Sequence, residues 1–502
     1  MKKGVRLSKN HWIGLFALLV YLVTVLNSTG YYHPDEHYQI IEFAGLKAGW
    51  NTDTDLTWEY NAQIRPTLQP VLALLCFQVL DLLYIQSPYI KEAILRLFTA
   101  IFALLIIWYF SRSVQHTVKS NYQTIFFCLS FFLWFIPAVN VRFSSETWSG
   151  LCLLLAIAWI YNNAMSVFSC LCIGFLLGLG FEFRFQLALC IIGLFFWLKL
   201  IGKWENWKLY YILSGCSTAV LLGILIDSWF YGEFVCAPYN YFVANILNGV
   251  ASMYGVSPWY FYLDQVMVST GFLFGTTIWI SLLFLLFHDS RNILLWCLVP
   301  FLTIHCFIPH KELRFLFPVI NFVPLLLIWF YQLIMDKLKS PFIRKTVIIP
   351  VISMVFLINL VGLIMMMFKP AGNGNVEMAK YIWMQYGKNI STIYVYKGNS
   401  PYTVGTAKGL SARFYLTGQI ELKDFLTIEA NNQQRQPEVI KDHDLIVLPA
   451  GFSKGRYLVE GWGFKEEKRS ISDWVNIVNR FYRVYDESET LVLYTKKNEK
   501  EN

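Results

Sequence analysis

His33-Pro34-Asp35-Glu36 places two adjacent carboxylates on a proline turn, directly behind the first long apolar stretch of the chain, Trp12–Leu26. Carboxylates at a membrane boundary are costly to keep dry, so they usually mark chemistry or an ion path rather than packing. Two neighbouring acids can also raise one another's pKa, which would let one of them act as a base near neutral pH. The plainer reading is a solvated loop that carries two acids. The polar stretches around Arg142–Thr147, Glu182–Gln186, Asp227–Tyr262 and Pro309–Arg314 decide between these readings, because they too interrupt apolar runs.

The elements that must position these residues are membrane helices. Of 502 residues, 56% are hydrophobic and only 15% charged, which excludes an ordinary soluble domain and defines an all-α polytopic membrane protein. Aromatic residues reach 18%, suiting interfacial belts and crowded helix packing. The net charge of +8 sits largely in short loops and the N-terminus, so it reads as an orientation signal and not as nucleic-acid binding. All ten cysteines lie between Cys76 and Cys306, mostly in apolar runs, without a CxxC or His-rich pattern. No disulfide framework or metal site is expected.

Apolar runs at 12–28, 92–110, 122–138, 147–162, 167–181, 187–201, 210–229, 265–287, 293–308, 315–335 and 346–368 predict about eleven crossings. Lys2, Lys3, Arg6 and Lys9 precede the first run with no small-residue cleavage site after it, so it is read as an uncleaved, cytoplasm-anchored span. The basic loops with Arg112 and Lys119, Lys203 and Lys208, Arg291, and Lys337, Lys339, Arg344 and Lys345 then fall on the cytoplasmic side. This holds only if 67–86, interrupted by Gln69, Pro70 and Asp81, stays in the interface as part of the first external loop, 29–91. His33–Pro66 and the four polar stretches named above then share the extracytoplasmic face, as a membrane-embedded active site requires. Residues 1–369 are read as the transmembrane domain. Residues 370–502 are read as a small extracytoplasmic α/β domain, with strands at Thr392–Tyr396, Leu445–Leu448 and Thr490–Tyr494 and a helix over Val376–Tyr386.

Three segments in chain order carry a family resemblance. They are HPDEHYQIIE at 33–42 with LTWEY at 56–60 and IRP at 64–66; DSWFYGE at 227–233, continuing through Asn240, Asn245, Tyr254-Gly255 and Ser257–Tyr260; and HKELRFLFP at 310–318. Together they resemble glycosyltransferase family 22 of the GT-C superfamily, the polyprenol- or dolichol-phosphate-mannose-dependent mannosyltransferases of GPI-anchor and N-glycan assembly. The resemblance spans roughly residues 11–335 and does not extend to the C-terminal domain.

The resemblance implies an inverting mannosyltransferase that moves mannose from a polyprenyl-phosphate carrier to a lipid-linked or glycan acceptor. The family's catalytic acid maps onto Asp35, with Glu36 the alternative base or an acceptor-orienting group. The departing phosphate needs positive charge, for which His310, Lys311, Arg314 and Arg142 are the candidates. On a helix His310 and Arg314 would be i and i+4 and share a face. Snorkelling to headgroups is the alternative for Lys311 and Arg314. For Arg142 and its neighbours the alternative is a helix start capped by Ser145, with Glu146 complementing the dipole. Arg184 pairs with Glu182 or reaches a phosphate.

His33, Gln39, Glu42, Trp58, Glu59, Arg65, Asp227, Tyr231 and Trp259 complete the expected substrate-binding set. Asp227 would hold sugar hydroxyls or a cation, and the aromatic residues would stack on sugar or mark the interface. Tyr231-Gly232 reads as a tight turn with positive φ at the glycine. No cofactor is expected, since the donor is itself the lipid-linked sugar. The expected partners are membrane lipid, that donor, and a glycan or glycolipid acceptor, with no nucleic acid. A bacterial inner membrane and an endoplasmic reticulum both fit. The competing readings are a transferase using another polyprenyl-phosphate sugar and a lipid or glycan transporter. A transporter would place its ionisable residues near mid-membrane, whereas here they gather at span ends. A scaffold subunit would leave Asp35 without a role.

Overall fold

The computed structural model describes residues 9–162, 166–338, 340–387, 392–396, 398–405, 410–416, 420–425 and 436–496. Lys2, Lys3, Arg6 and Lys339, used above for orientation, lie outside the described residues. The chain divides into two compact units. The first comprises Met1–Val25, Ala62–Gln69 and Arg96–Met367; the second comprises Leu26–Asn61, Pro70–Leu95 and Phe368–Asn502. The second unit thus takes in most of the first external loop, 29–91, together with the residues from Phe368 onward.

The first unit is helical. Among the described residues, five helices are long and apolar enough to cross a membrane: Asn10–Asn27, Pro88–Thr117, Asn206–Tyr231, Leu313–Lys337 and Pro341–Phe368. Others are shorter, among them Val167–Phe183, Phe272–His288 and Ile293–Phe307. Two expected continuous spans are broken. The 122–138 run parts at Leu133, whose backbone is extended between the helices Gln123–Phe132 and Phe135–Asn140. The 265–287 run parts at Gly271, where φ is +85°, a conformation that removes the residue from either helix. The Pro341–Phe368 segment buries little beyond Gly362, Leu363 and Met365, while Val347, Phe356 and Leu357 stay exposed, as suits side chains bathed in lipid tails.

Small residues set the closest helix approach. Gly174 and Gly178 on Val167–Phe183 face Ile212, Cys216 and Ala219 on Asn206–Tyr231, and Gly215 returns the contact against Leu171. A Cβ on Gly174 would run into the Ile212 carbonyl oxygen, so the helices pack backbone to backbone.

The second unit contains a mixed sheet. Its strands are β1 (Thr392–Val395), β2 (Gly398–Asn399), β3 (Thr403–Gly405), β4 (Leu410–Ser411), β5 (Glu421–Asp424), β6 (Leu445–Pro449), β7 (Lys465–Arg469) and β8 (Leu491–Thr495). Five of them form one sheet in the order β5-β1-β6-β8-β7, with β1 parallel to both β5 and β6, and β8 antiparallel to both β6 and β7. β2, β3 and β4 form a small antiparallel sheet. The apolar strands β6 and β8 are fully buried and pack with Phe425, Trp462 and Phe464. The expected α/β module is present, with Asn375–Tyr386 as the expected helix. β7 was not foreseen, because its sequence Lys-Glu-Glu-Lys-Arg has no apolar alternation; it sits at the sheet edge, where charge is the normal protection.

Candidate functional site

In the second unit, Pro34–Tyr38 forms a single short helix with Pro34 in its first turn, where a missing N–H costs nothing. His33 caps it: Nδ1 accepts the Asp35 N–H at 3.2 Å and lies 3.6 Å from Asp35 Oδ1. The two carboxylates differ. Glu36 is buried and its Oε2 accepts the Tyr32 N–H at 3.1 Å, whereas a quarter of the Asp35 side chain is exposed (25%). The next residues fix the loop. Gln39 Nε2 donates to Glu59 Oε1 at 3.1 Å, joining 33–42 to the Trp58–Asn61 helix. Glu42 is wholly buried; its Oε1 lies 2.7 Å from His37 Nε2 and accepts the Phe414 N–H at 3.1 Å, and its Oε2 accepts from Asn51 Nδ2 at 2.8 Å. Trp58 is partly exposed at the surface.

Asp55 belongs to the same loop. Burial works to raise its pKa, but bonds from the Thr52 N–H, Arg413 and the Thr52 hydroxyl overcome that and hold it below the usual carboxylate range.

In the first unit a buried ionic cluster gathers around Glu146. Its Oε1 takes Arg314 Nη1 at 3.1 Å and lies 3.3 Å from Arg184 Nη1. Arg314 also engages both oxygens of Glu312 through Nε and Nη2, and His310 Nε2 lies 2.9 Å from Glu312 Oε1. Arg184 and Arg314 sit 5.1 and 5.4 Å from the Phe315 ring centre. Lys311 is buried and donates from Nζ to the Ser257 carbonyl at 2.7 Å; burial lowers its pKa from the ordinary lysine value, with the neighbouring Cys306 opposing. Arg142 is buried at the end of Phe135–Asn140, its N–H bonded to the Val139 carbonyl.

Three local expectations are corrected. His310 and Arg314 do not share a helix, because Glu312 is extended and the 3₁₀ turns begin only at Leu313; Glu312 itself brings the two side chains together. Ser144, not Ser145, caps the next helix, its Oγ accepting the Thr147 N–H at 3.3 Å, while Ser145 bonds Glu146 Oε2. Arg184 pairs with Glu146 rather than Glu182, since the extended backbone at Arg184 carries it off the helix that holds Glu182.

Asp227, Tyr231 and Arg65 lie in a second group in the first unit. Asp227 is fully buried, and its Oδ1 accepts both the N–H and the hydroxyl of Thr67 at 2.7 Å each. Tyr231 donates its hydroxyl to the Arg65 carbonyl at 2.9 Å, and the Arg65 guanidinium lies 5.9 Å from the Tyr241 ring centre. The 64–66 and 227–233 motifs are thus one packed unit. Gly232 ends the helix at φ +84°, as the turn required. Trp259, by contrast, is 62% exposed and joins none of these groups. Among the described residues no group of three or more His, Cys, Asp or Glu side chains is placed to hold a metal ion. Sequence reasoning missed His37, although it stands inside the HPDEH motif five residues before Glu42.

Residues 12–407 match the model of the Alg9-like mannosyltransferase family. GPI mannosyltransferase 3 of Drosophila melanogaster is 25% identical over 349 residues, covering 62% of this chain and 54% of that protein. GPI alpha-1,2-mannosyltransferase 3 of Bos taurus is 25% identical over 336 residues, covering 63% and 58%. The match thus spans little more than half of those relatives. Among solved structures, ArnT from Cupriavidus metallidurans, crystallised with undecaprenyl phosphate, aligns with a TM-score of 0.55 at 12% identity over 98% of this chain and 99% of that one. The oligosaccharyltransferase of Archaeoglobus fulgidus aligns with a TM-score of 0.50 at 11% identity over 89% and 69%. These likenesses describe a shared GT-C fold.

Proposed function

The chain belongs to the Alg9-like mannosyltransferase family, and from that membership we propose that it is an inverting mannosyltransferase using a polyprenyl-phosphate-mannose donor. The acceptor is a lipid-linked glycan, and the names of the matched relatives favour one of the glycosylphosphatidylinositol type. The reaction takes place on the extracytoplasmic or lumenal face of a bacterial inner membrane or the endoplasmic reticulum.

Asp35 takes the proton of the acceptor hydroxyl as that oxygen forms its bond to the anomeric carbon. The bond from that carbon to the phosphate oxygen breaks, and its electron pair leaves on the polyprenyl phosphate. One displacement turns a β-linked donor into an α-linked product with no glycosyl-enzyme intermediate. Lys311, Arg314, His310 and Arg142 answer the charge that builds on the phosphate. Asp227, Tyr231, Arg65 and Trp259 serve the sugars.

The observation that carries the choice of base is the unequal placement of the two loop carboxylates: Glu36 is buried on the Tyr32 amide, and Asp35 is accessible on a capped helix turn. A base must reach a hydroxyl on substrate, and a buried carboxylate does so less readily than an accessible one. The test is transfer by the purified protein from synthetic polyprenyl-phosphate-mannose to a membrane lipid extract. Asp35→Asn lowers turnover by ~10²–10⁴-fold while the protein stays folded. Wild-type turnover in that variant removes Asp35 from the mechanism, and transfer from other polyprenyl-phosphate sugars but not mannose changes the donor.

A further inference from the structure

We propose that residues 410–415 of the C-terminal region latch the catalytic loop, with His37, Glu42 and Tyr415 acting as positioning residues for Asp35; this rests on the reading of Asp35 as base. The helix that carries Asp35 has only five residues, Pro34–Tyr38, too few to hold its own shape in water. Something must hold it, and its last two residues show what does.

The His37 ring is buried in a stack. Its centre lies 5.2 Å from Tyr31 at 27° and 4.9 Å from Tyr415 at 15°. Tyr38, beside it, donates its hydroxyl to the Leu410 carbonyl at 2.8 Å, across a separation of 372 residues. The Glu42 carboxylate has no exposure and must be satisfied by donors; it takes His37, Asn51 and the Phe414 N–H. Losing the Phe414 N–H would leave a buried carboxylate short of a partner, so the contact is one the loop cannot drop cheaply. The Phe414 ring then stacks on Phe77 at 5.0 Å, and Arg413 pairs with Asp55. Residues 410–415 thus grip the loop at Tyr38, His37, Glu42 and Asp55, immediately after the catalytic carboxylate.

None of these groups needs to touch substrate. They fix the angle at which the Pro34–Tyr38 turn presents Asp35, and a misplacement of about 1 Å there costs on the order of a hundredfold in rate.

The experiment compares Tyr415→Leu, Tyr415→Phe and Tyr38→Phe with wild type and Asp35→Asn, full-length in detergent, using synthetic polyprenyl-phosphate-mannose and membrane lipid extract. Two readouts are taken: kcat and donor KM per folded molecule, and amide hydrogen exchange of the 31–42 segment. Tyr415→Leu is expected to lower kcat on the order of tenfold to a hundredfold at unchanged donor KM, and to speed exchange in that segment without changing it in the Asn206–Tyr231 helix. Tyr415→Phe, which keeps the stack, is expected to restore both. Tyr38→Phe shows a smaller change in the same direction and stands in if Tyr415→Leu does not fold. Unchanged exchange in 31–42, or wild-type kcat per folded molecule in Tyr415→Leu, overturns the latch. Full activity in Asp35→Asn overturns the reading of the base instead, and the exchange data then decide the latch by themselves.

Discussion

Replacing Arg314 by alanine separates two roles that its position combines. The side chain is 5% exposed, and it answers Glu146, 2% exposed, and Glu312, 23% exposed. Without it, Glu312 keeps His310 and some solvent, and Glu146 keeps Arg184 on the same buried oxygen and Ser145 on the other. Removing one partner of a buried ion pair costs ~3–5 kcal/mol, and the surviving arginine argues for the lower end. At about 3 kcal/mol the ratio of folded to unfolded protein falls by roughly two decades. Scanning fluorimetry in detergent reads this as a clear drop in the thermal midpoint.

The decisive comparison adds Glu146→Gln to Arg314→Ala. That double variant removes the Glu146 charge but takes the carboxylate away from the buried Arg184 guanidinium, so the lost midpoint does not return. Transfer per folded molecule stays low if Arg314 also answers the donor phosphate, and the loss appears in kcat/KM for the donor. An Arg314→Ala protein with an unmoved midpoint, or a double variant restored to the wild-type midpoint, refutes the buried-pair reasoning. A double variant with wild-type transfer confines Arg314 to neutralising Glu146.

Two further outcomes follow from packing and charge. Gly174→Ala forces the Val167–Phe183 and Asn206–Tyr231 helices apart, because the new Cβ meets the Ile212 carbonyl backbone rather than a movable side chain. The expected result is a loss of ~3 kcal/mol or more, seen as poor recovery of folded protein, and wild-type yield and midpoint would contradict the close packing. For Asp55, the folded-state pKa is depressed, so its contribution is present above the unfolded value of about 4 and is lost as pH falls through the lower folded value. Asp55→Asn and Arg413→Gln should each flatten the acid limb of exchange protection in the second unit below about pH 4; an unaltered limb in both removes the pair from the acid response.

What the sequence determined by itself is local. Apolar runs of sufficient length become helices in any low-dielectric setting, and most expected spans coincide with helices such as Lys9–Asn27 and Asn206–Tyr231. Gly232 declared its turn, and the β-branched and apolar runs at β1, β6 and β8 their strands. Motif order was enough to reach the family. Partner choice was decided elsewhere. That Arg184 answers Glu146 and not Glu182 depends on where an extended residue throws a guanidinium. Glu312 binding both His310 and Arg314 depends on the chain failing to be helical at 310–312, a segment that follows Pro309. The union of Glu42 with the Phe414 amide links residues 372 apart, and no periodicity or propensity reports on such a distance. A buried carboxylate takes whatever donors packing brings within reach, so its partners are a property of the folded chain and not of its neighbours in sequence.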